Sequence, residues 1–146
     1  MALKISEFKK CDLSECAKLL VKCTNEKAGS DVWESVYDAQ VYLDEYLDNP
    51  QFLGFVAKEG ENLAGVCMGH TRTYYTGVQY IIDEFYIDES TKEAGTDHLL
   101  IRFVKQYLCD DDIHSVVYSG ILNDEEFWSK NEFAADEGKI NVSCSF

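Results

Sequence analysis

Basic residues are scarce in this chain: 13 lysines and arginines stand against 27 acids, a formal charge of −14 at pH 7. A surface of that sign repels phosphate backbones and anionic bilayers over about a Debye length, roughly 10 Å at 0.1 M salt, so neither nucleic acid nor membrane is expected as a partner. Proline occurs once and glycine nine times in 146 residues, too few for a linker or a low-complexity tail. No run of about 18 consecutive apolar residues exists, and the opening MALKISEFKK has no apolar stretch of signal-peptide length. Cys11, Cys16, Cys23, Cys67, Cys109 and Cys144 form no CxxC, and the three histidines form no pair at metal-ligand spacing. No metal is therefore expected. The cysteines read as small core residues of a soluble protein in a reducing cytoplasm.

What is present describes an ordered globular chain. Apolar residues make up 46% of it, enough at this length for one domain over residues 1–146 with a sizeable core. The acidic field would also attract a cationic small molecule, although solubility is the commoner use of such charge.

Periodicity divides the chain into elements. LKISEF reads as a first strand, and Asp12-Leu13-Ser14-Glu15 offers a capping box for a helix whose Leu13, Cys16, Ala17, Leu20 and Cys23 form one stripe. After a loop with Gly29 and Trp33, DAQVYLDEYLDNP predicts a second helix stopped by Asn49-Pro50. Turns at residues 59–62 and near Thr76-Gly77 divide the next stretch into three antiparallel strands. A helix over residues 94–108 should bury Leu99, Leu100, Phe103, Val104 and Tyr107. IHSVVYSGIL then predicts a strand, residues 124–131 a short helix, and KINVSCSF a closing strand. The order β-α-α-β-β-β-α-β-α-β belongs to an α/β (α+β) layered domain with a mixed, mostly antiparallel sheet flanked by helices.

One junction is more specific. Glu84-Phe85-Tyr86-Ile87-Asp88 ends a strand, Lys92-x-x-Gly95-x-Asp97 follows, and Leu100-Ile101 lies in the next helix. A strand feeding a glycine-bearing turn and a helix aims backbone N–H groups and a dipole at an anion. Further on stands Phe127-Trp128-Ser129-Lys130-Asn131-Glu132-Phe133. In register and spacing these two motifs resemble the GNAT family of N-acetyltransferases. Its central strand reads Glu-Leu-Tyr-Val-Asp, its loop Arg/Gln-x-x-Gly-x-Gly/Ala, and its downstream motif Phe-Tyr-x-Lys-x-Gly-Phe.

The resemblance implies acetyl-CoA as cosubstrate and a small-molecule amine as acceptor. It implies that Lys92, Glu93, Ala94, Gly95, Thr96, Asp97 and His98 cradle the pyrophosphate. Phe85, Tyr86 and Ile87 would lie along the pantetheine arm, with Trp128 packing on it or standing in for the family's proton-donating tyrosine. Glu84 is the implied base on the strand, with Asp83 the other candidate, and alternation puts Glu84 opposite Asp83. The acceptor would lie among Trp33, Tyr37, Tyr74, Tyr75 and Tyr80, aromatics suited to a cation. The resemblance leaves a homodimer through the last strands open.

Three departures bear on chemistry. Asp97 stands where the family has a small residue, Lys92 where it has Arg or Gln, and Trp128 where it often has Tyr. Trp128 cannot be an ordinary acid, and water or Tyr118 would have to replace it. Together with Glu132 at the glycine position, these departures give the alternative expectation, a GNAT-like binding or regulatory module that no longer catalyses.

Overall fold

The structure is a computed structural model and describes residues 2–29, 32–118, 124–136 and 142–145. Strand β1 (Leu3–Glu7) leads through a 3-10 turn (Lys10–Asp12) into helices α1 (Leu13–Ala28) and α2 (Val36–Tyr46). Strands β2 (Phe52–Glu59), β3 (Asn62–Tyr74) and β4 (Gly77–Ile87) follow as consecutive hairpins. A 3-10 segment (Glu89–Ala94), helix α3 (Thr96–Asp110), strand β5 (Val116–Tyr118) and helix α4 (Glu125–Lys130) complete the described elements. The sheet runs β1-β2-β3-β4-β5, antiparallel except for the parallel pair β4 and β5. Helix α3 makes the crossover that a parallel pair requires. The expected order therefore holds through α4. The closing strand expected in KINVSCSF falls mostly outside the described residues, and residues 142–145 carry no strand.

Each sheet face buries its own apolar cluster. Leu13, Cys16, Ala17, Leu20 and Cys23 of α1 meet Ala39 and Leu43 of α2 over Val56, Val66, Met68 and Tyr86. On the other face Leu100, Ile101, Val104 and Leu108 of α3 cover Phe55, Cys67, Tyr80, Ile82 and Ile87. Among the described residues no helix is long and apolar enough to cross a membrane.

Three local expectations are corrected. The Asp12 carboxylate makes no capping box with α1: it accepts the Lys9 N–H at 2.9 Å and the Lys58 ammonium at 2.6 Å. A charge-assisted bond to β2 outcompetes a neutral cap. The buried stripe of α3 is rotated by about one residue from the expected one, since Ile101 and Leu108 are inside while Leu99 is 44% exposed. Phe103 and Tyr107 are only half-buried, and Tyr107 donates its hydroxyl to Glu7 at 3.1 Å. Of the cysteines only Cys16, Cys23 and Cys67 are core residues; Cys11, Cys109 and Cys144 are exposed.

An irregularity in β4 shapes the site. Met68 lies opposite Glu84 but Gly69 lies opposite Ile82, so Asp83 is an extra residue, a β-bulge. Gly69 makes this close approach possible: a Cβ there would sit 2.2 Å from the Ile81 carbonyl oxygen and 2.8 Å from the Tyr80 ring. Gly69→Ala is expected to destabilise the fold by about 1–3 kcal/mol, the usual cost of overpacking. Urea unfolding would measure this, and an unchanged midpoint would contradict it.

Candidate active site

Pairing of β5 with β4 stops at Ile82 and Tyr118 among the described residues. Beyond that point the next residues of β4 face a cleft whose walls come from five other elements. Phe85, Tyr86 and Ile87 form its floor, Cys23 and Lys27 come from α1, Lys92 and Asp97 from the loop and the start of α3, and Tyr118, Asp124, Phe127 and Trp128 from β5 and the α4 region. Six of these positions, Phe85, Tyr86, Ile87, Lys92, Asp97 and Trp128, were expected from sequence to meet one cofactor. Cys23, Lys27, Asp124 and Phe127 were not, and nothing local in their sequence marks them. Cys23 donates its thiol to the Ile87 carbonyl at 3.3 Å, and burial pushes its pKa up to about 11. It is a structural thiol.

Aromatic packing fixes the far wall. Trp128 stacks on Tyr118, with centroids 4.2 Å apart and planes 17° from parallel, and leans on Phe85, Phe127 and Phe133. Burial, and then the Glu84 charge, push the Tyr118 hydroxyl pKa up, so this phenol keeps its proton at neutral pH. Glu132, at the glycine position of the downstream motif, has φ of 71°. The left-handed turn that a glycine would favour is kept although the residue differs.

The loop is a stapled turn. Gly95, φ 81°, ends the 3-10 segment, its N–H bonding the Lys92 carbonyl at 2.9 Å, and the chain enters α3 directly. Thr96 is buried beneath it and donates its hydroxyl to the Thr91 carbonyl at 3.1 Å. Glu93 and Ala94 are exposed. His98 packs on Phe127 at 5.0 Å, and its Nδ1 accepts from the Asn131 amide at 3.0 Å. Asp97 is buried, lines the cleft, and accepts the His98 N–H at 2.8 Å. A fixed carboxylate thus occupies one of the donors with which a helix N-terminus greets an anion. Lys92 also lines the cleft and pairs with Glu89 at 3.0 Å.

The other side of β4 carries a second constellation. Glu84 Oε1 accepts from Tyr42 at 2.5 Å and from Tyr46 at 3.4 Å, and the two hydroxyls are 2.9 Å apart. Trp33 leans on Tyr42 at 5.2 Å. Burial pushes the Glu84 carboxyl pKa up, the two phenols pull it back, and Asp83 adds to the rise. Tyr42 and Tyr46, one helical turn apart on α2, were missed from sequence although an i, i+4 aromatic pair was visible. Tyr42→Phe removes a bond that lowers the Glu84 pKa, so the folded-state pKa should rise. The acidic limb of any Glu84-dependent rate profile should then move to higher pH, as a pH–kcat/KM series would record; an unmoved limb would contradict the link.

Two expected placements are corrected. Asp83 does not lie opposite Glu84: the bulge turns it to the same face, where its carboxylate meets His70 Nδ1 at 2.7 Å. Tyr80 is fully buried on the α3 face, donating its hydroxyl to the Leu53 carbonyl at 2.7 Å, and is a core residue rather than a wall of an acceptor site. Tyr37 is 73% exposed and points away from Tyr42 around α2. Tyr74 and Tyr75 pack on each other at 5.1 Å at the hairpin tip, roughly 20 Å along the strand from Glu84 at about 3.3 Å per residue. Of the expected acceptor residues only Trp33 joins the Glu84 cluster.

No family model matches the chain, and no curated protein matches it in sequence. Solved structures do match over nearly the whole length. A predicted acetyltransferase with acetyl-CoA from Clostridium acetobutylicum superposes with a TM-score of 0.76 at 11% identity, covering 97% of this chain and 96% of that one. An aminoglycoside acetyltransferase from an uncultured soil metagenomic sample, in complex with sisomicin, gives 0.76 at 17% identity over 99% and 96%. A transcriptional regulator from Bacillus halodurans C-125 gives 0.77 at 15% identity over 99% and 100%. The chain has the GNAT fold. The cleft fits what acetyl-CoA would ask of a GNAT fold in most respects. An apolar floor and aromatic wall suit the pantetheine arm, and Lys27 and Lys92 offer cations. Asp97 and Asp124 are the lining acids that would oppose its phosphates.

Proposed function

We propose that the protein is an N-acetyltransferase that moves the acetyl group of acetyl-CoA to a primary amine of a small cationic acceptor, by direct attack with both substrates bound. The observation that carries this reading is the convergence of Phe85, Tyr86, Ile87, Lys92 and Trp128 on one cleft, beside a stretch of β4 that has no β5 partner among the described residues. Such an edge offers amides the partners that an added strand would find. Lys27, Lys92 and the N-terminal turn of α3 would hold the diphosphate, and Phe85 and Trp128 the arm. Acetyl-CoA, when bound, supplies the activated acyl group.

An amine acceptor arrives as an ammonium with a pKa of about 10 and must lose a proton before its nitrogen can attack. Glu84 is the carboxylate that meets it, and a carboxyl pKa raised by burial is the direction a base needs. Backbone N–H groups near Ile87 polarise the acetyl carbonyl. Tyr118 is the phenol beside Trp128 that can return a proton to the departing thiolate. Trp33, Tyr42 and Tyr46 beside Glu84 and Asp83 give an aromatic and anionic surface of the kind that binds cations. The aminoglycoside acetyltransferase with this fold, in complex with sisomicin, is consistent with such an acceptor.

A second reading is favoured by one observation, the Asp97 carboxylate inside the cleft. In that case the fold serves as a binding or regulatory module. A thiol-release assay with acetyl-CoA and a panel of cationic, neutral and anionic amines separates the two. Turnover with cationic amines is expected; activity confined to neutral or anionic acceptors would refute the substrate class, and none at all would favour the module.

A further inference from the structure

Glu84 Oε1 accepts from two phenols, and the proton taken from the ammonium needs a way out of the site. Beside it the bulge at Asp83 builds a second acid–base pair that the proposed reaction has not yet used. His70 Nδ1 lies 2.7 Å from Asp83 Oδ2, and the two side chains are 24% and 23% exposed. A ring nitrogen bonded to a carboxylate carries the hydrogen, which leaves Nε2 with its lone pair free to accept a proton. The fold has reasons for this arrangement. Strand alternation on β3 sets His70 on the face of Met68 and Val66, toward α1 and α2, and the extra residue in β4 turns Asp83 to meet it. Without the bulge, Asp83 and Glu84 would lie on opposite faces of the sheet. With it, two carboxylates and an imidazole share one face at the acceptor end of β4.

We propose that His70, held in its Nδ1–H tautomer by Asp83, is the proton acceptor that carries the acceptor amine's proton from the Glu84 side of the site to solvent. The proposal rests on the acetyltransferase reading. The amine nitrogen forms its bond to the acetyl carbon as the carbon–sulfur bond breaks; the sulfur leaves as a thiolate that takes a proton from Tyr118 or water, and the second proton that nitrogen sheds on becoming an amide passes to water and replaces the one given up. The proton lost by the ammonium passes through Glu84 or an intervening water to His70 Nε2, and from the partly exposed imidazole to bulk water. Asp83 is a positioning residue, since it acts only through the ring. Among the described residues, the charged and titratable groups on this face include Glu84 and Tyr86 from β4, Tyr42 and Tyr46 from α2, Cys16 and Cys23 from α1, and Arg72 two residues along β3, while Phe52 opposite on β2 is apolar.

The test uses the full chain with acetyl-CoA, and 1,4-diaminobutane and sisomicin as amine probes. His70→Gln should lower kcat about 100-fold, the scale of general base catalysis, with acetyl-CoA affinity unchanged. His70→Ala should regain activity on addition of free imidazole, which a merely structural loss would not. Asp83→Asn should lower kcat less than His70→Gln. Unchanged kcat from pH 6 to 9 in His70→Gln, or a loss that imidazole does not restore in His70→Ala, would overturn the proposal. If the wild type acetylates neither probe, the acetyltransferase reading is at fault, and nitrogen NMR of the imidazole decides the dyad separately. A hydrogen on Nδ1 that Asp83→Asn displaces supports it, and a hydrogen on Nε2 in the wild type overturns it.

Discussion

Asp97→Ala is expected to tighten acetyl-CoA binding by about tenfold. The carboxylate lines the cleft and is pinned on the His98 N–H, where it would face the diphosphate of the proposed cofactor. Two unit charges about 4 Å apart repel by about 4 kcal/mol at an effective dielectric of 20. The cleft is open to water and salt, which removes most of that, and about 1.4 kcal/mol of the repulsion surviving is a factor of ten. The substitution also frees the His98 N–H for a phosphate oxygen. Against this, a negative charge in the first turn of α3 favours the helix dipole by about 0.3–1 kcal/mol, so the variant should be slightly less stable while binding better. Paired calorimetric titrations of wild type and variant would measure the change. Equal affinity would mean that the cofactor's charges do not approach Asp97.

Glu84→Gln should reduce turnover by about 100-fold or more while acetyl-CoA affinity stays within a factor of two, because the carboxylate bonds Tyr42 and Tyr46 of α2, on the side of β4 where the proposed acceptor would bind. The amide is close to isosteric and still accepts hydrogen bonds from Tyr42 and Tyr46, so the fold should tolerate it. A steady-state comparison at saturating acetyl-CoA would check this. Unchanged turnover would remove Glu84 from the reaction.

Sequence pattern located the elements, and the residues it grouped around the β4–α3 junction do line one cleft, because both depend on local rules: alternation in β4, the glycine at residue 95, and the stripe of α1. It failed where a long-range partner decided the outcome. Asp12 looked like a helix cap until Lys58 from β2 claimed it. Alternation put Asp83 opposite Glu84, and the bulge against Gly69 reversed this, which no propensity reveals. Tyr80 belonged to a run of aromatics near a hairpin, and only the packing of α3 shows it to be core. His70 carried no signal at all, since its meaning depends on an Asp83 placed by that same irregularity.

The departures from the GNAT motifs divide similarly once the geometry is known. Glu132 keeps the left-handed turn of the glycine it replaces. Trp128 gains Tyr118 as a stacked neighbour, so a phenol remains in the cleft. Of these departures it is Asp97 that brings an opposing charge to the place where a cofactor would bind, and Asp124 lines the same cleft.

The central claim, that this cleft binds acetyl-CoA, is tested most directly by isothermal titration of the wild-type protein with acetyl-CoA at low and at moderate salt. Saturable binding of one acetyl-CoA per chain at both, weaker at the higher salt, is the predicted result. No heat of binding at either salt would contradict the claim and turn the search toward protein partners of the acidic surface.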